Sequence, residues 1–489
     1  MNILWVTSEA VPYAKTGGLA DVSSALPLAL SERGHRVSVV MPYYPQVTGK
    51  LKLKFNATHD LLRVPFGSGD EWARVHELRI NPKLTFYFIE YNRFYDRPTL
   101  YDWCGTEYAD NAQRYIFFSR AAMELAASFK LKPDILHAND WHAALCCVYL
   151  KSHLYKDHEQ FRSCRSILTI HNIGYQGVFH KNNLFWSGLG WDYFNYLCLE
   201  WYDQLNLLKG GIMTADMVST VSPTYAHEIL SSEYGFGLDG ALRMRAGNGR
   251  LRGILNGIDV KIWNPASDRN LPATFTADDL SGKAVCKRKL QKQYGLPVRD
   301  DVPLFAVISR LAYQKGLDVL NFGLEDMLYN DDFQFVILTS GEKAIEDHMR
   351  YLAGKYPNKF AVYLGYAGEP AAHLAEAGAD MFIMPSRYEP CGLNQMYSMT
   401  YGTLPIVRHT GGLADTVCNY DNGNTASGTG FVFWELNAAS LNGTIRWAAD
   451  IWRRHPDDFR KMQHNAMTAD FSWNKTASEY EKMYQDAHR

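Results

Sequence analysis

The chain lacks any apolar run long enough to cross a bilayer, which needs about 20 consecutive residues, so a membrane-spanning reading is set aside. Its opening, Met1-Asn2-Ile3-Leu4-Trp5-Val6-Thr7-Ser8-Glu9, has neither the basic start nor the apolar span of a secretory signal, and a soluble, cytoplasmic protein is expected. An excess of one charge is missing too. With 50 basic against 52 acidic residues and a formal net charge of -2, nothing draws the whole molecule to nucleic acid or to an anionic membrane, so any anion site must be local. The eight cysteines (104, 146, 147, 164, 198, 286, 391 and 418) contain no C-x-x-C pair and no zinc spacing; small buried packing residues are expected, and no metal. There is no low-complexity tract, short repeat, or Pro-rich or Ser-rich linker, which favours two lobes packed over a cleft rather than tethered modules.

What the chain does have is length and a repeating pattern. At 489 residues it exceeds the size at which one core keeps growing, so two domains are expected. Short β-rich runs, each followed by a polar or glycine loop and then a helical period, recur throughout and read as α/β with parallel sheets. In the first third the strand candidates are 2–6, 36–41, 85–90, 135–138 and 166–171. A helix is predicted over 19–33, with Leu19, Val22, Leu26 and Leu30 on one face and Gly34 as its stop. A second series follows at 304–309, 333–339, 360–364, 381–384 and 406–408. The turn chemistry of "LRGILNGIDVKIWNP" puts the boundary between two doubly wound, Rossmann-like domains near 257, giving lobes 1–257 and 258–469. In such sheets ligands lie outside the carboxyl ends of the strands, so the post-strand loops carry the argument.

The first loop, "SEAVPYAKTGGLADV", feeds a helix N-terminus, where free N–H groups and the helix dipole favour negative charge. Gly17 and Gly18 allow close approach, Lys15 adds a cation, and Asp21 lies in the first turn; a plain tight turn with a solvated lysine explains the same string. In "FAVISRLAYQKGLDVL", Arg310 and Lys315 lie past the strand end and before a helix, a pair suited to a diphosphate. The loop "MPSRYEPCGLNQMYSMTYG" offers Glu389 to hold sugar hydroxyls or developing positive charge. Its Cys391, with no partner constellation for a nucleophile, reads as a packing residue. "RHTGGLADTV" repeats the Gly-Gly-Leu-Ala-Asp string with Gly411 and Gly412. "ILHANDWHAAL" places Asp140, Trp141 and His142 just past a strand, and "LTIHNIGYQGVF" does the same for His171 and Asn172, candidates for hydrogen bonding or proton chemistry.

Together "KTGGLADV", "DWHA", "HNIGYQG", "VSPTYAHEI", "LNGIDVKIWNP", "SRLAYQKGLD", "SRYEPCGLNQMY", "TGGLADTV" and "DFSWNKTASEY" resemble bacterial glycogen synthase and plant starch synthase over essentially the whole chain. The resemblance implies a GT-B glycosyltransferase fold and transfer of glucose from ADP-glucose to the non-reducing end of an α-1,4-glucan, glycogen or a maltooligosaccharide, with retention of configuration. It implies no cofactor, and a terminal helix, 470–489, that packs back on the first lobe. By the same resemblance Lys15 and its glycine pair face the donor phosphates and glucose, while Arg310 and Lys315 hold the diphosphate. His171, Asn256 and Glu389 contact the transferred glucose. Ser386, Cys391, Gly392, Leu393, Gly411 and Gly412 line the donor pocket, and Tyr366 stacks on adenine. Asp21, Tyr95, Asp96, Asp140, Trp141, His142 and Asn172 belong to the acceptor side.

The chain departs from many relatives in carrying Thr339-Ser340-Gly341-Glu342 where they have a Gly-x-Gly-Asp string. Eight positions after Glu389 it has Tyr397, where the wider superfamily often has a second glutamate. Two other readings stay open: a transferase of the same fold using UDP-glucose or a small acceptor, and a non-catalytic glucan-binding protein.

Overall fold

The computed structural model describes residues 1–421 and 426–489. The chain forms two compact units, Met1–Gly257 with Trp473–Arg489, and Ile258–Ser472.

The first unit is built on a nine-stranded sheet. In spatial order its strands are Leu251–Gly253, Met217–Thr220, Arg165–Ile170, Ile135–Asn139, Asn2–Val6, Arg36–Pro42, Leu84–Glu90, Gly69–Asn81 and Ala57–Phe66. All neighbours run parallel as far as Leu84–Glu90. The last two strands form an antiparallel hairpin on the edge that the periodicity did not reveal. Its strands alternate, with Leu62, Val64 and Phe66 buried between exposed neighbours, so one face meets water and the apolar signal is diluted. The parallel strands, covered by helices on both faces, read instead as continuous apolar runs. The helix Gly18–Glu32 continues through Pro27 and buries Leu19, Val22, Leu26 and Leu30, each such side chain contributing roughly 1.5–3 kcal/mol of burial.

The chain enters the sheet at Asn2–Val6, winds outward one way, and returns to wind outward the other way from Ile135–Asn139. These two strands are neighbours in register, Val6 opposite Ala138, so the chain leaves the sheet side by side at Thr7 and at Asp140. This is the topological switch point, where a parallel sheet opens a crevice at its carboxyl edge.

The second unit repeats the plan with six parallel strands, in the order Phe360–Leu364, Gln334–Gly341, Leu304–Leu311, Met381–Met384, Leu404–Arg408 and Phe431–Phe433. Its switch point lies between Leu304–Leu311 and Met381–Met384. The strand Leu304–Leu311 is longer than its sequence signal suggests. Arg310 pairs with Ser340 inside it, so Arg310 sits on the strand, not past its end. In the departing Thr339-Ser340-Gly341-Glu342 string, Thr339 is buried and its hydroxyl donates to the Ser309 carbonyl at 2.7 Å, and Glu342 precedes the helix Lys343–Lys355.

The helix Trp473–Ala487 belongs to the first unit. Tyr484 meets the fully buried His137 ring at 2.7 Å, Thr476 donates to the Leu255 carbonyl at 2.9 Å, and Glu481 pairs with Arg33 at 2.6 Å.

Candidate active site

In the second unit the switch point brings two loops into contact. The Lys315 Nζ lies 2.7 Å from the Glu389 Oε2, and the Ser386 hydroxyl donates to the same oxygen at 2.9 Å. Glu389 is 5% exposed, so its charge is held by these two partners and not by bulk water. Lys315 keeps further N–H donors for an anion.

The pair is placed by backbone. Gly316 has φ +65°, and a methyl group there would fall 1.9 Å from the Pro385 carbonyl oxygen, so the turn Tyr313–Lys315 lies flat on Pro385. Arg387 N–H donates to the Gln314 carbonyl at 2.8 Å, and the Arg387 guanidinium pairs with Asp318 at 2.6 Å while lying 3.9 Å above the Tyr313 ring. Gly411 and Gly412, expected in the donor pocket, are required first by the protein's own chain. Methyl groups there would meet the Glu389 and Cys391 carbonyl oxygens at 1.9 and 2.1 Å, and Gly412 N–H donates to the Glu389 carbonyl at 3.0 Å. The string shared with the first loop thus serves as a clamp on the Glu389 loop.

Cys391 is buried in that clamp and forms no disulfide, with Gly392 (φ +71°) and Leu393 leading into the helix Asn394–Thr400. Tyr397 stacks 3.8 Å from Trp263, which stacks 4.0 Å from His373 on its other face, so the position eight after Glu389 holds a packing residue. Arg310 is exposed at the end of its strand, and Tyr366, in the loop after Phe360–Leu364, is 89% exposed.

In the first unit the switch point gathers a carboxylate that motif spacing did not single out. Glu9 is buried. Its Oε2 accepts from Thr16 N–H at 2.5 Å and Gly17 N–H at 3.3 Å; its Oε1 accepts from the Thr16 hydroxyl at 2.7 Å and the Tyr101 hydroxyl at 2.6 Å. Two of the loop N–H groups expected to await an external anion are therefore already bonded to an internal one. Burial pushes the Glu9 carboxyl up and these donors pull it back, leaving it above the usual range. The signal that could have found Glu9 is its position, a carboxylate three residues past the first strand. Lys15 and Asp21 pair at 2.6 Å. A methyl group on Gly17 would meet no atom of the described residues within 4 Å, and Gly17 has extended backbone (φ -157°), so neither packing nor conformation requires a glycine there.

Asp140 opens the helix Asp140–Lys151 with φ +52°, a left-handed value uncommon for a non-glycine residue. It is buried and accepts His171 N–H at 2.7 Å; burial, with Glu9 nearby, pushes its carboxyl to about 7 despite that bond. His171 Nε2 lies 3.1 Å from Asn139 Oδ1, while the Asn139 amide donates to the Val6 carbonyl, so Nε2 carries the proton and Nδ1 is left as an acceptor. Burial lowers the His171 imidazole to about 3, which keeps it neutral. Trp141 packs against Gly177, and His142 stacks 4.6 Å from Tyr101. The His142 Nδ1 and Asn256 Oδ1 atoms are buried without hydrogen-bond partners among the described residues. Asn172 accepts Gly174 N–H at 2.9 Å, and Asp96 is exposed, accepting from Gln46 at 3.1 Å. Tyr95 corrects the expectation made for it. It has no accessible surface and its hydroxyl donates to the Arg114 carbonyl at 3.0 Å, so it is a core residue.

Comparison with known proteins gives the family. Residues 2–244 match the family model of the starch synthase catalytic domain, and residues 289–465 that of glycosyl transferases group 1. Glycogen synthase 1 of Geobacter sulfurreducens is 44% identical across 100% of this chain and 97% of its own, and the glycogen synthase of Treponema denticola is 42% identical across 100% and 98%. Among solved structures, the catalytic domain of starch synthase IV from Arabidopsis thaliana, bound to ADP and acarbose, superposes with a TM-score of 0.88 at 32% identity, covering 99% of each chain. Sucrose-phosphate synthase from Thermosynechococcus elongatus shares the fold alone, with a TM-score of 0.61 at 18% identity over 99% of this chain and 98% of its own. Two doubly wound units with a charged cluster at each switch point, matched end to end by such relatives, place this chain in the glycogen synthase and starch synthase family of GT-B glycosyltransferases.

Proposed function

We propose that the protein transfers glucose from ADP-glucose to the non-reducing end of an α-1,4-glucan, glycogen or a maltooligosaccharide, with retention of configuration. The observation that carries this reading is the Lys315–Glu389–Ser386 cluster at the switch point of the second unit. A parallel sheet binds nucleotide ligands there, and an ammonium held beside a buried carboxylate suits a phosphate next to a sugar.

In this reading the second unit takes the donor. Lys315 and Arg310 bind the diphosphate and stabilise it as it leaves, each such contact contributing about 3 kcal/mol in the transition state. Glu389, its charge balanced by Lys315, orients glucose hydroxyls and stabilises positive charge developing at the anomeric carbon; Ser386 and the chain from Cys391 to Leu393 shape the pocket. The exposed Tyr366 ring is available to stack on adenine. No carboxylate is assigned as nucleophile. The acceptor hydroxyl attacks from the face the phosphate leaves, and a phosphate oxygen takes its proton. In the first unit, which takes the acceptor, Lys15 and Gly17–Gly18 approach the glucose, the His171 Nδ1 accepts from a sugar hydroxyl, and Asn256 offers an Oδ1 without a partner among the described residues. Asp21, Asp96, Asp140, Trp141, His142 and Asn172 serve the glucan. A soluble enzyme of the cytoplasm is the corresponding setting.

Initial rates of glucose transfer to glycogen from ADP-glucose and UDP-glucose at matched concentrations test the donor. ADP-glucose is expected to be preferred by at least about tenfold, which is 1.4 kcal/mol. A UDP-glucose preference would move the assignment to the alternative donor, and no transfer from either would favour a binding protein. Lys315→Ala is expected to lower turnover about 100-fold while leaving glycogen binding unchanged; equal losses in both would remove Lys315 from the diphosphate.

A further inference from the structure

We infer that Glu9 is a positioning residue for the transfer reaction, presetting the Lys15–Gly18 loop and tying it to Tyr101 beside the start of the Asp140 helix. The inference rests on the reading above, in which that loop meets the donor sugar.

Glu9 cannot itself reach the reaction as a base or nucleophile. It is 3% exposed, and four donors from three groups converge on its two oxygens. The donors to its carboxylate named above belong either to the glycine loop or to Tyr101. The loop side is held by two backbone N–H groups and one hydroxyl, which define the path of the chain through Thr16 and Gly17 at the mouth of the helix Gly18–Glu32. An anion at that place also complements the positive end of the helix dipole. The other side is held by the Tyr101 hydroxyl, which is shared with the Ser8 hydroxyl at 2.8 Å, while the Tyr101 ring stacks on His142. One buried carboxylate thus connects the loop after Asn2–Val6, through Tyr101, with His142 in the helix that follows Ile135–Asn139. The Tyr101 ring also lies 5.9 Å from that of the fully buried Tyr115 in the helix Asn111–Ser128, so the bridge ties the glycine loop to a side chain fixed by the core. Fixing a reacting loop before the ligand arrives matters because a misplacement of about 1 Å can lower a rate 100-fold.

The test compares Glu9→Ala, Glu9→Gln and Tyr101→Phe, with turnover expressed per folded molecule. Glutamine can keep the bridge, its oxygen taking the backbone N–H groups and its amide donating to the two hydroxyls. Glu9→Ala is expected to lower kcat about 30-fold or more, with donor KM changing less than about threefold. Glu9→Gln is expected to recover most of that loss. Tyr101→Phe is expected to lower kcat by less, and to add little in the Glu9→Ala background because the bridge is already broken. An unchanged kcat in Glu9→Ala, or a fall in Tm with normal turnover of the folded fraction, would overturn the inference. A Glu9→Gln enzyme as impaired as Glu9→Ala would also overturn it, in favour of a direct role for the charge. Lys15→Ala is the control for the underlying reading. If it leaves turnover intact, the loop itself is not part of the reaction; if it lowers turnover while Glu9→Ala does not, only the inference about Glu9 falls.

Discussion

Asp140 shows how burial sets the behaviour of one residue against its neighbours. Its folded-state carboxyl is raised from 3.8 to about 7, so the stability contributed by the neutral form is full below pH 3.8 and is lost as pH rises through about 7. His171 runs the other way. Its folded-state imidazole is depressed from 6.5 to about 3, so its contribution is present above pH 6.5 and is lost as pH falls through about 3. Between these limits the two oppose each other. Asp140→Asn removes the first while keeping an oxygen for the His171 N–H and a side chain that tolerates the left-handed backbone. Its stability relative to the parent should rise from pH 4 to pH 8 by about 1 kcal/mol per pH unit, read from urea midpoints; a constant difference would show that Asp140 ionises normally. His171 and Asp140 were legible as candidates because they follow strands. Their hydrogen bond was not, since strand neighbours 31 residues apart in the chain leave no trace in local spacing.

At the scale of loops and elements, two kinds of glycine can be separated. Gly316 is needed by the fold, because a methyl group would strike the Pro385 carbonyl and the φ of +65° disfavours a side chain. Gly316→Ala should therefore destabilise the second unit by about 1–3 kcal/mol and lower turnover together, as the Lys315–Glu389 pair is pulled apart. Gly17 has room and an ordinary backbone. Gly17→Ala should leave stability within about 0.5 kcal/mol and still lower kcat/KM for the donor; normal kinetics would show that the space beside Gly17 is not used. The ten strands read from the sequence and the helix 19–33 fall within about two residues of their observed bounds, the strands because those buried on both faces are apolar throughout. The hairpin 57–81 was not legible, because one face is solvated and its charged residues mask the alternation. The string common to the two glycine loops suggested one role for both. Packing gave them different ones, an open edge at Gly17 and a clamp on the Glu389 loop at Gly411 and Gly412.

For the molecule as a whole, the last helix matters out of proportion to its length. Trp473–Ala487 buries Trp473, Tyr480, Met483 and Tyr484, and its Tyr484 hydroxyl supplies a partner to His137 in the middle of the first unit's sheet. Removing residues 473–489 exposes that apolar face and strips the buried imidazole of a hydrogen bond. The truncated chain should lose the unfolding transition of the first unit or shift it down by more than 10 °C, while Tyr484→Phe, which deletes only the hydroxyl, should cost about 1 kcal/mol. A truncated protein with an unchanged transition would show that the first unit does not depend on this helix.

The sequence by itself determined the class of the fold, its two repeats of strand, loop and helix, and the post-strand loops that carry the charged and glycine residues. Apolar periodicity and turn residues are local properties, written over a few positions at a time. Tertiary structure alone decided which of the loop residues meet. Winding each sheet outward from a central pair of strands sets the end of Asn2–Val6 beside the end of Ile135–Asn139 in one unit and the Lys315 turn beside Glu389 in the other. It also turned Tyr95 into core, Tyr397 into a stacking partner of Trp263, and Glu9 into the buried anchor of a loop. Burial and long-range contact depend on strand order, and strand order is a property of the whole chain.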